Sequence, residues 1–179
     1  DHVSLSRLIS CINRASGGTK VIASEALMRR SKLFLAAVSL ALLPVSADAA
    51  EYFVSLSGND ANPGTISAPF RTITHAGWSV KPGDTVTVRA GEYRDKVYIE
   101  AKGTASDRIV FRAYPGERVI IDGSDLAAGR DLVALVEAQY VDFSGFEVRN
   151  AKHIGITSWH SKQIRILDNH VYNATRNGI

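Results

Sequence analysis

The residues that could do chemistry lie near the C-terminal end of the sequence, where acidic and basic side chains recur at a fixed spacing. Glu147 precedes His170 by 23 residues, and Asp142 precedes Arg165 by the same number. In a structure that repeats at this spacing, each acid would face its base on the neighbouring strand. Such pairs usually form solvated ladders that contribute roughly a few tenths of a kcal/mol. Because Glu147, His170 and Arg165 can also donate to or accept from a polar ligand, we keep them as candidate binding residues.

Trp159 and His160 form a further candidate pair, outside the segments that repeat. An exposed indole can stack on a sugar ring through its apolar face. A tryptophan packed beneath a loop is the structural alternative, and the sequence favours it. Binding through Trp159 and His160 therefore stays open as the less favoured interpretation.

Acidic residues that could hold a metal ion are sparse in this region. Asp142 and Asp168 carry suitable carboxylates, but no dense group of acids surrounds either one. Calcium takes about six to eight oxygen ligands, so we predict no metal site in residues 1–179. Lys152 and Arg176 are of the right type for a catalytic base, although nothing distinguishes them from other surface cations.

The segment 140–156 is repeated in 163–179. Short β-branched runs with apolar residues two apart, interrupted by asparagine and glycine, are typical of strands and turns. A period in the low twenties fits either a β-solenoid or a leucine-rich repeat. Since the second copy has only Leu167, a parallel β-helix is favoured. The matched positions are Val141 with Ile164, Phe143 with Ile166, Val148 with Val171, Asn150 with Asn173, and Gly155 with Gly178.

In a parallel β-helix, residues one period apart lie about 4.8 Å from each other on adjacent strands. The matched apolar residues are therefore predicted to form inward stacks, and the two copies to pair in parallel. Asn150 and Asn173 are predicted to form an asparagine ladder, and Gly155 and Gly178 to lie in turns.

Upstream of the repeat, further β-branched runs predict more strands of one all-β domain over residues 50–179. The turn residues between them are glycine, proline, asparagine and aspartate, and Gly91-Glu-Tyr93 is expected to turn the chain. No linker divides this region. The predicted strands are 52–55, 85–89, 96–99, 109–112, 119–123 and 132–136.

Apolar residues at helical spacing predict one short amphipathic helix within residues 70–80. Thr72 or Thr74 is a suitable N-cap for it. We expect this helix to cover the open bottom of the first coil. The predicted fold is therefore a right-handed parallel β-helix with an N-terminal capping helix.

A secretory signal peptide is predicted at residues 28–49. Basic residues at 28–32 precede an eleven-residue apolar run, Leu33 to Leu43, and small residues at Ala47 and Ala49 supply a cleavage site. The apolar run is too short to span a bilayer, so we predict an exported protein, secreted or periplasmic, with no membrane span. Residues 1–27 precede the signal's own Met28 and are interpreted as untranslated or non-native upstream sequence.

Charge and cysteine content change once the first fifty residues are set aside. Six of the 21 basic residues and three of the 18 acidic residues lie there, which leaves 15 of each in the remainder. This neutral balance gives no reason to expect nucleic-acid binding. The single cysteine, Cys11, also lies upstream, so no disulfide is predicted in the exported domain, which is expected to be a monomer.

Several motifs in order resemble the opening of secreted bacterial right-handed parallel β-helix proteins, a group that includes the pectate lyases of polysaccharide lyase family nine. The resemblance runs from about Tyr52 to Ile179. The motifs are Ser57-Gly-Asn-Asp-Ala-Asn-Pro-Gly-Thr65, Ala68-Pro-Phe-Arg-Thr-Ile73, Lys81-Pro-Gly-Asp-Thr-Val-Thr-Val-Arg89, Ile109-Val-Phe-Arg-Ala-Tyr-Pro-Gly-Glu117 and Ile121-Asp-Gly123.

This resemblance implies β-elimination on an acidic polysaccharide, with Ca²⁺ neutralising the uronate and a lysine or arginine removing the C5 proton. In these lyases the carboxylates and the base lie on later coils. Because the sequence stops within a repeat, we expect a C-terminally truncated β-helix whose catalytic and metal residues lie beyond Ile179. A noncatalytic glycan-binding or adhesion module is the alternative, since fold alone does not decide function.

Overall fold

The computed structural model describes residues 49–179, so the upstream segment and the signal peptide predicted above lie outside the described residues. The described chain forms twelve strands and one helix. Their bounds are β1 Glu51–Val54, α1 Ile73–Ser79, β2 Thr85–Val88, β3 Gly91–Tyr93, β4 Val97–Ile99, β5 Ile109–Ala113, β6 Val119–Asp122, β7 Val133–Val136, β8 Val141–Ser144, β9 Glu147–Arg149, β10 Ile156–Trp159, β11 Arg165–Leu167 and β12 His170–Tyr172.

The strands form three parallel sheets. The first sheet has the order β1-β2-β5-β8-β11, the second β3-β6-β9-β12, and the third β4-β7-β10. Each complete turn of the chain adds one strand to each sheet, and we call such a turn a coil. This is the predicted all-β solenoid, and the parallel pairing of β8 with β11 excludes an antiparallel hairpin between the repeats.

The predicted stacks are present. Phe143 pairs in register with Ile166, Val148 pairs with Val171, and Ile164 packs against the core. The aromatic centre of the core is Phe143, which is fully buried and stacks on Phe146 with 4.3 Å between ring centroids. Apolar burial of this kind stabilises by about 25 cal/mol per Å². With no cysteine in residues 49–179, packing and hydrogen bonds hold the coils together.

The turns repeat along with the strands. Asn150 and Asn173 both adopt positive φ angles, 56° and 53°, a conformation that asparagine tolerates better than most residues. The side-chain amide of Asn173 donates to Asn150 Oδ1 at 3.4 Å, and the side-chain amide of Asn150 donates to Asp122 Oδ2 at 3.1 Å. The predicted asparagine ladder is confirmed, and an aspartate begins it.

The capping helix is also confirmed. Thr72 is its N-cap, with Oγ1 accepting a hydrogen bond from the His75 amide at 3.2 Å. The helix packs on β4, β1 and β2. Thr74 Oγ1 donates to the Lys96 carbonyl and accepts from the Tyr98 amide at 3.0 Å, so the helix satisfies polar groups at the edge strand of the third sheet.

One predicted turn is a strand. Gly91–Tyr93 forms β3 and pairs with β6, so the prediction that it turns the chain was wrong. A three-residue strand that begins with glycine shows no alternation to detect. Glycine is favoured there because its φ is 149°, a backbone conformation that other residues rarely adopt.

Candidate functional site

The five candidate residues lie on different faces of the solenoid. Arg165 is on the first sheet, Glu147 and His170 are on the second, and Trp159 ends the last strand of the third, with His160 in the turn that follows. Of the candidates that are distant in sequence, the structure brings together Glu147 and His170, which are register partners on β9 and β12.

Glu147 and His170 line a shallow depression of about 360 Å³. The neighbouring turns of successive coils form its wall, and we call it the Glu147 depression. Besides these two residues, its polar lining includes Glu117, Arg118 and Asp168. Acids, a guanidinium and an imidazole thus face the same solvent-filled space, an arrangement suited to polar ligands.

Glu147 is held as a carboxylate within this depression. Arg118 Nε and Nη2 donate to its two oxygens at 2.7 and 2.8 Å, and the Tyr172 hydroxyl also donates to it. These hydrogen bonds, from Arg118 first and then Tyr172, lower the pKa of Glu147 below its ordinary value. A carboxylate stabilised in its charged form accepts hydrogen bonds but is a weak base at neutral pH.

Arg165 has a structural partner. It donates through Nε to Asp142 Oδ1 at 2.7 Å, and Arg108 Nε donates to the same oxygen at 2.8 Å. Burial alone raises the pKa of Asp142, but the hydrogen bonds from Arg165 and Arg108 outweigh it and lower the pKa. Asp142 is therefore a charged link between three coils, and Arg165 shares this one carboxylate with Arg108.

Trp159 is exposed, which corrects the favoured prediction that it packs beneath a loop. Its side chain is 58% exposed. Residue alternation along β10 buries Ile156 and turns Trp159 to the outer face. The backbone is fixed, because the Glu137 amide donates to the Trp159 carbonyl at 2.8 Å. His160 follows at a φ of 49°, with its ring edge-on to the indole at 6.2 Å.

A charged cluster that the sequence did not reveal joins two other turns. His153 Nδ1 lies 2.6 Å from Asp131 Oδ1, and Arg176 Nη1 lies 3.3 Å from His153 Nε2. An arginine can only donate, so Nε2 accepts and Nδ1 donates to Asp131. His153 and Arg176 are 23 residues apart, which is the repeat spacing, but Asp131 and His153 are 22 apart, so the repeat does not indicate that Asp131 belongs to the cluster.

The described residues do not fit a Ca²⁺ site. Among them there is no group of three or more histidine, cysteine, aspartate or glutamate side chains arranged to hold a metal ion. The carboxylates of Asp122, Asp142 and Glu147 are each engaged by arginine, so their charge is already neutralised. Ca²⁺ needs about six to eight oxygen ligands, and this part of the chain does not supply them.

No helix of the described residues is long and apolar enough to cross a membrane.

Comparisons with known proteins agree with this architecture. Residues 52–179 match the family model described as Pel9A-like, right handed beta helix region. The chain is 34% identical over 130 residues to the uncharacterized protein YwoF of Bacillus subtilis (strain 168), covering 66% of the chain and 28% of that protein. It is 35% identical over 119 residues to pectate lyase PEL9 of Emericella nidulans, covering 59% of the chain and 29% of that protein.

Solved structures show the same fold. Pectate lyase Pel9A superposes with a TM-score of 0.52 at 22% identity, covering 67% of this chain and 34% of Pel9A. A rhamnogalacturonan lyase superposes with a TM-score of 0.50 at 24% identity, covering 60% of this chain and 30% of that one. The chain spans less than a third of the length of the curated relatives. Because the family model matches well over half of it, the chain belongs to the Pel9A-like family of right-handed β-helix proteins.

Proposed function

We propose that this chain is part of an exported, polysaccharide-active protein, and that the whole protein is a monomeric lyase that cleaves uronate-containing polysaccharide by β-elimination. The observation that carries the proposal is 35% identity over 119 residues to a protein named pectate lyase. That identity lies within the β-helix family match.

The reaction needs a base and a means of masking the uronate charge. The base takes the C5 proton, the C4–O bond breaks, the electron pair forms a C4=C5 double bond, and the leaving oxygen is protonated. In residues 49–179 no group of three or more histidine, cysteine, aspartate or glutamate side chains is arranged to hold a metal ion, and arginines engage Asp142 and Glu147. The proposal therefore assigns both the base and the proposed Ca²⁺ site to residues outside 49–179.

The described residues would contribute substrate contacts. Trp159 presents an exposed indole on a fixed strand end, next to His160, and could stack on a sugar ring. In the Glu147 depression, Arg118 is 68% exposed while it is paired to Glu147, and His170 is exposed beside it. Arg165 is the weakest of the five candidates because Asp142 already holds it.

Calcium dependence tests the reaction. Full-length protein is incubated with pectate, alginate and related glycans, with Ca²⁺ or with a chelator, and ultraviolet absorbance of the unsaturated product is followed. We expect absorbance to rise on at least one uronate polymer with Ca²⁺ and to stay flat with the chelator, because the carboxylate charge must be masked before C5 gives up its proton.

A neutral polymer that cannot form the unsaturated uronate serves as the substrate control. If absorbance does not rise on any uronate polymer while glycan binding is measurable, the proposed lyase activity is contradicted. That result would support the second candidate, a noncatalytic glycan-binding module, which the exposed Trp159 favours.

Export is the second testable part of the proposal. Expressed from Met28 in a bacterium, the chain is expected outside the cytoplasm with its N-terminus at Ala50 or Glu51, since cleavage follows small residues. N-terminal sequencing of the exported product measures this. A recovered protein that still begins at Met28 would contradict the signal peptide.

A further inference from the structure

A groove beside the first coils supplies none of the substrate contacts proposed above, although it shares Glu117 with the lining of the Glu147 depression. It consists of two depressions of about 400 Å³ each, on either side of the side chain of Ile66, and we call the two together the Ile66 groove. The lining residues used below are Ser55, Ser57, Ser67, Arg89 and Glu117 in the first depression, and Glu51, Phe53, Arg112 and Tyr114 in the second.

Each depression contains one arginine–glutamate pair. Arg89 Nη2 lies 2.6 Å from Glu117 Oε1, and Arg112 Nη2 lies 3.0 Å from Glu51 Oε1. Because each charge has its counter-charge beside it, neither depression offers a free cation to a carboxylate. The pairs keep solvent-facing donors and acceptors, since all four side chains are 23–44% exposed. The groove is therefore polar without being charged, which suits a ligand rich in hydroxyl groups.

Apolar and aromatic surface lies between the polar groups. Ile66 is 58% exposed at the boundary of the two depressions, and Phe53 and Tyr114 are half-buried beside it. The Arg89 guanidinium lies over the Tyr114 ring, 4.5 Å from its centroid, and fixes the ring. A sugar ring has an apolar C–H face and a rim of hydroxyls, so it can contact both kinds of surface at once.

The backbone beside the groove excludes an extended peptide. β1 is the edge strand of the first sheet, and the 64–70 segment already occupies its open side. The Phe53 amide donates to the Gly64 carbonyl at 2.7 Å, and the Phe70 amide donates to the Phe53 carbonyl at 2.9 Å. Peptide recognition by strand addition needs free edge groups, and here they are satisfied.

We propose that the Ile66 groove binds a neutral oligosaccharide, as a saccharide site separate from the residues that act on uronate. The paired arginines disfavour an acidic sugar, the closed edge of β1 disfavours a peptide, and the hydroxyl and aromatic lining fits a pyranose chain. The proposal does not depend on lyase activity, because an inactive protein would keep the same groove.

Calorimetric titration of the full-length protein tests it with xylohexaose, mannohexaose, cellohexaose and hexagalacturonate as probes. We expect at least one neutral hexasaccharide to bind, and Ile66→Glu to weaken it by about tenfold or more, because the new carboxylate removes the apolar contact and adds an uncompensated charge. Phe53→Ala is expected to weaken binding in the same direction. Trp78→Ala is the matched control: Trp78 is 64% exposed on α1 and does not line the groove.

Thermal unfolding shows whether each variant is folded, and uronate cleavage is measured separately in the same variants. The proposal stands if Ile66→Glu loses neutral-sugar binding while Trp78→Ala retains it and cleavage is unchanged by both. It is overturned if no neutral hexasaccharide binds, if binding survives both Ile66→Glu and Phe53→Ala, or if hexagalacturonate binds the wild type more tightly and is the probe that Ile66→Glu weakens.

Discussion

Replacing Phe143 by alanine is expected to lower the free energy of unfolding by about 3–5 kcal/mol, the usual range for a buried phenylalanine. Phe143 is fully buried, stacks on Phe146 at 4.3 Å, and pairs in register with Phe111 below and Ile166 above. The truncation leaves a cavity shared by three coils. Because coils are stabilised by their neighbours, the loss should not stay local. Urea unfolding of the full-length protein, followed by circular dichroism, measures it.

Trp159→Ala provides the comparison. It removes a larger side chain, but one that is 58% exposed and outside the core, so its cost is expected to stay below about 1 kcal/mol. Equal destabilisation by the two substitutions would show that the inward stack around Phe143 does not dominate stability.

The inward position of Phe143 was predictable for two reasons. Successive side chains of a strand point to opposite faces, and residues one 23-residue repeat apart occupy equivalent positions on neighbouring strands. The repeat also predicted the Asn150–Asn173 ladder, while helical spacing predicted an N-cap at Thr72 or Thr74, of which the structure uses Thr72. These features are local or lie one repeat apart, so the sequence displays them directly. The register confirms this for the last coils, where Asp142 pairs with Arg165.

The site contacts were harder to predict because the earlier coils differ in length. Arg118 and Glu147 are 29 residues apart, and Arg108 and Asp142 are 34 apart, so no single spacing reveals both pairs. Loops inserted between strands set these separations. The exposure of Trp159 was missed for another reason: alternation tells which side of a strand a residue occupies, but not whether another segment covers that side.

The arginine–carboxylate pairs explain why the outer faces are poor places to look for a metal site. Arg112 with Glu51 spans the first coils on the first sheet, and Arg118 with Glu147 spans later coils on the second. In each, the acid is neutralised across a coil boundary.

Asp122 is the acid whose loss is expected to cost most among these pairs. Its side chain is 3% exposed. It accepts hydrogen bonds from the backbone amide of Ser124 at 2.8 Å, from Arg149 Nε at 2.6 Å and from the side-chain amide of Asn150. Asp122→Ala removes the acceptor of Arg149 Nε and of the Asn150 side-chain amide, while Arg149 Nη2 keeps its contact with Glu92 at 3.0 Å. Breaking a buried charged pair in this way costs about 3–5 kcal/mol, and urea unfolding at neutral pH measures it.

Asp122→Asn is the matched variant, because it keeps the shape, removes the charge and replaces one of the two acceptor oxygens by an amide donor. Burial alone raises the pKa of Asp122, but hydrogen bonds from Ser124, Arg149 and Asn150 outweigh it, so the folded-state pKa is below the ordinary value of 3.8. A depressed pKa adds stability that is fully present well above 3.8 and is lost as the pH falls through the folded-state value. The wild type should therefore exceed Asp122→Asn by a constant margin from pH 7 to about pH 5. That margin should shrink as the pH falls below about 4. Urea midpoints measured from pH 7 to pH 3 test this, and a margin that does not change with pH would show that the charge of Asp122 does not stabilise the fold.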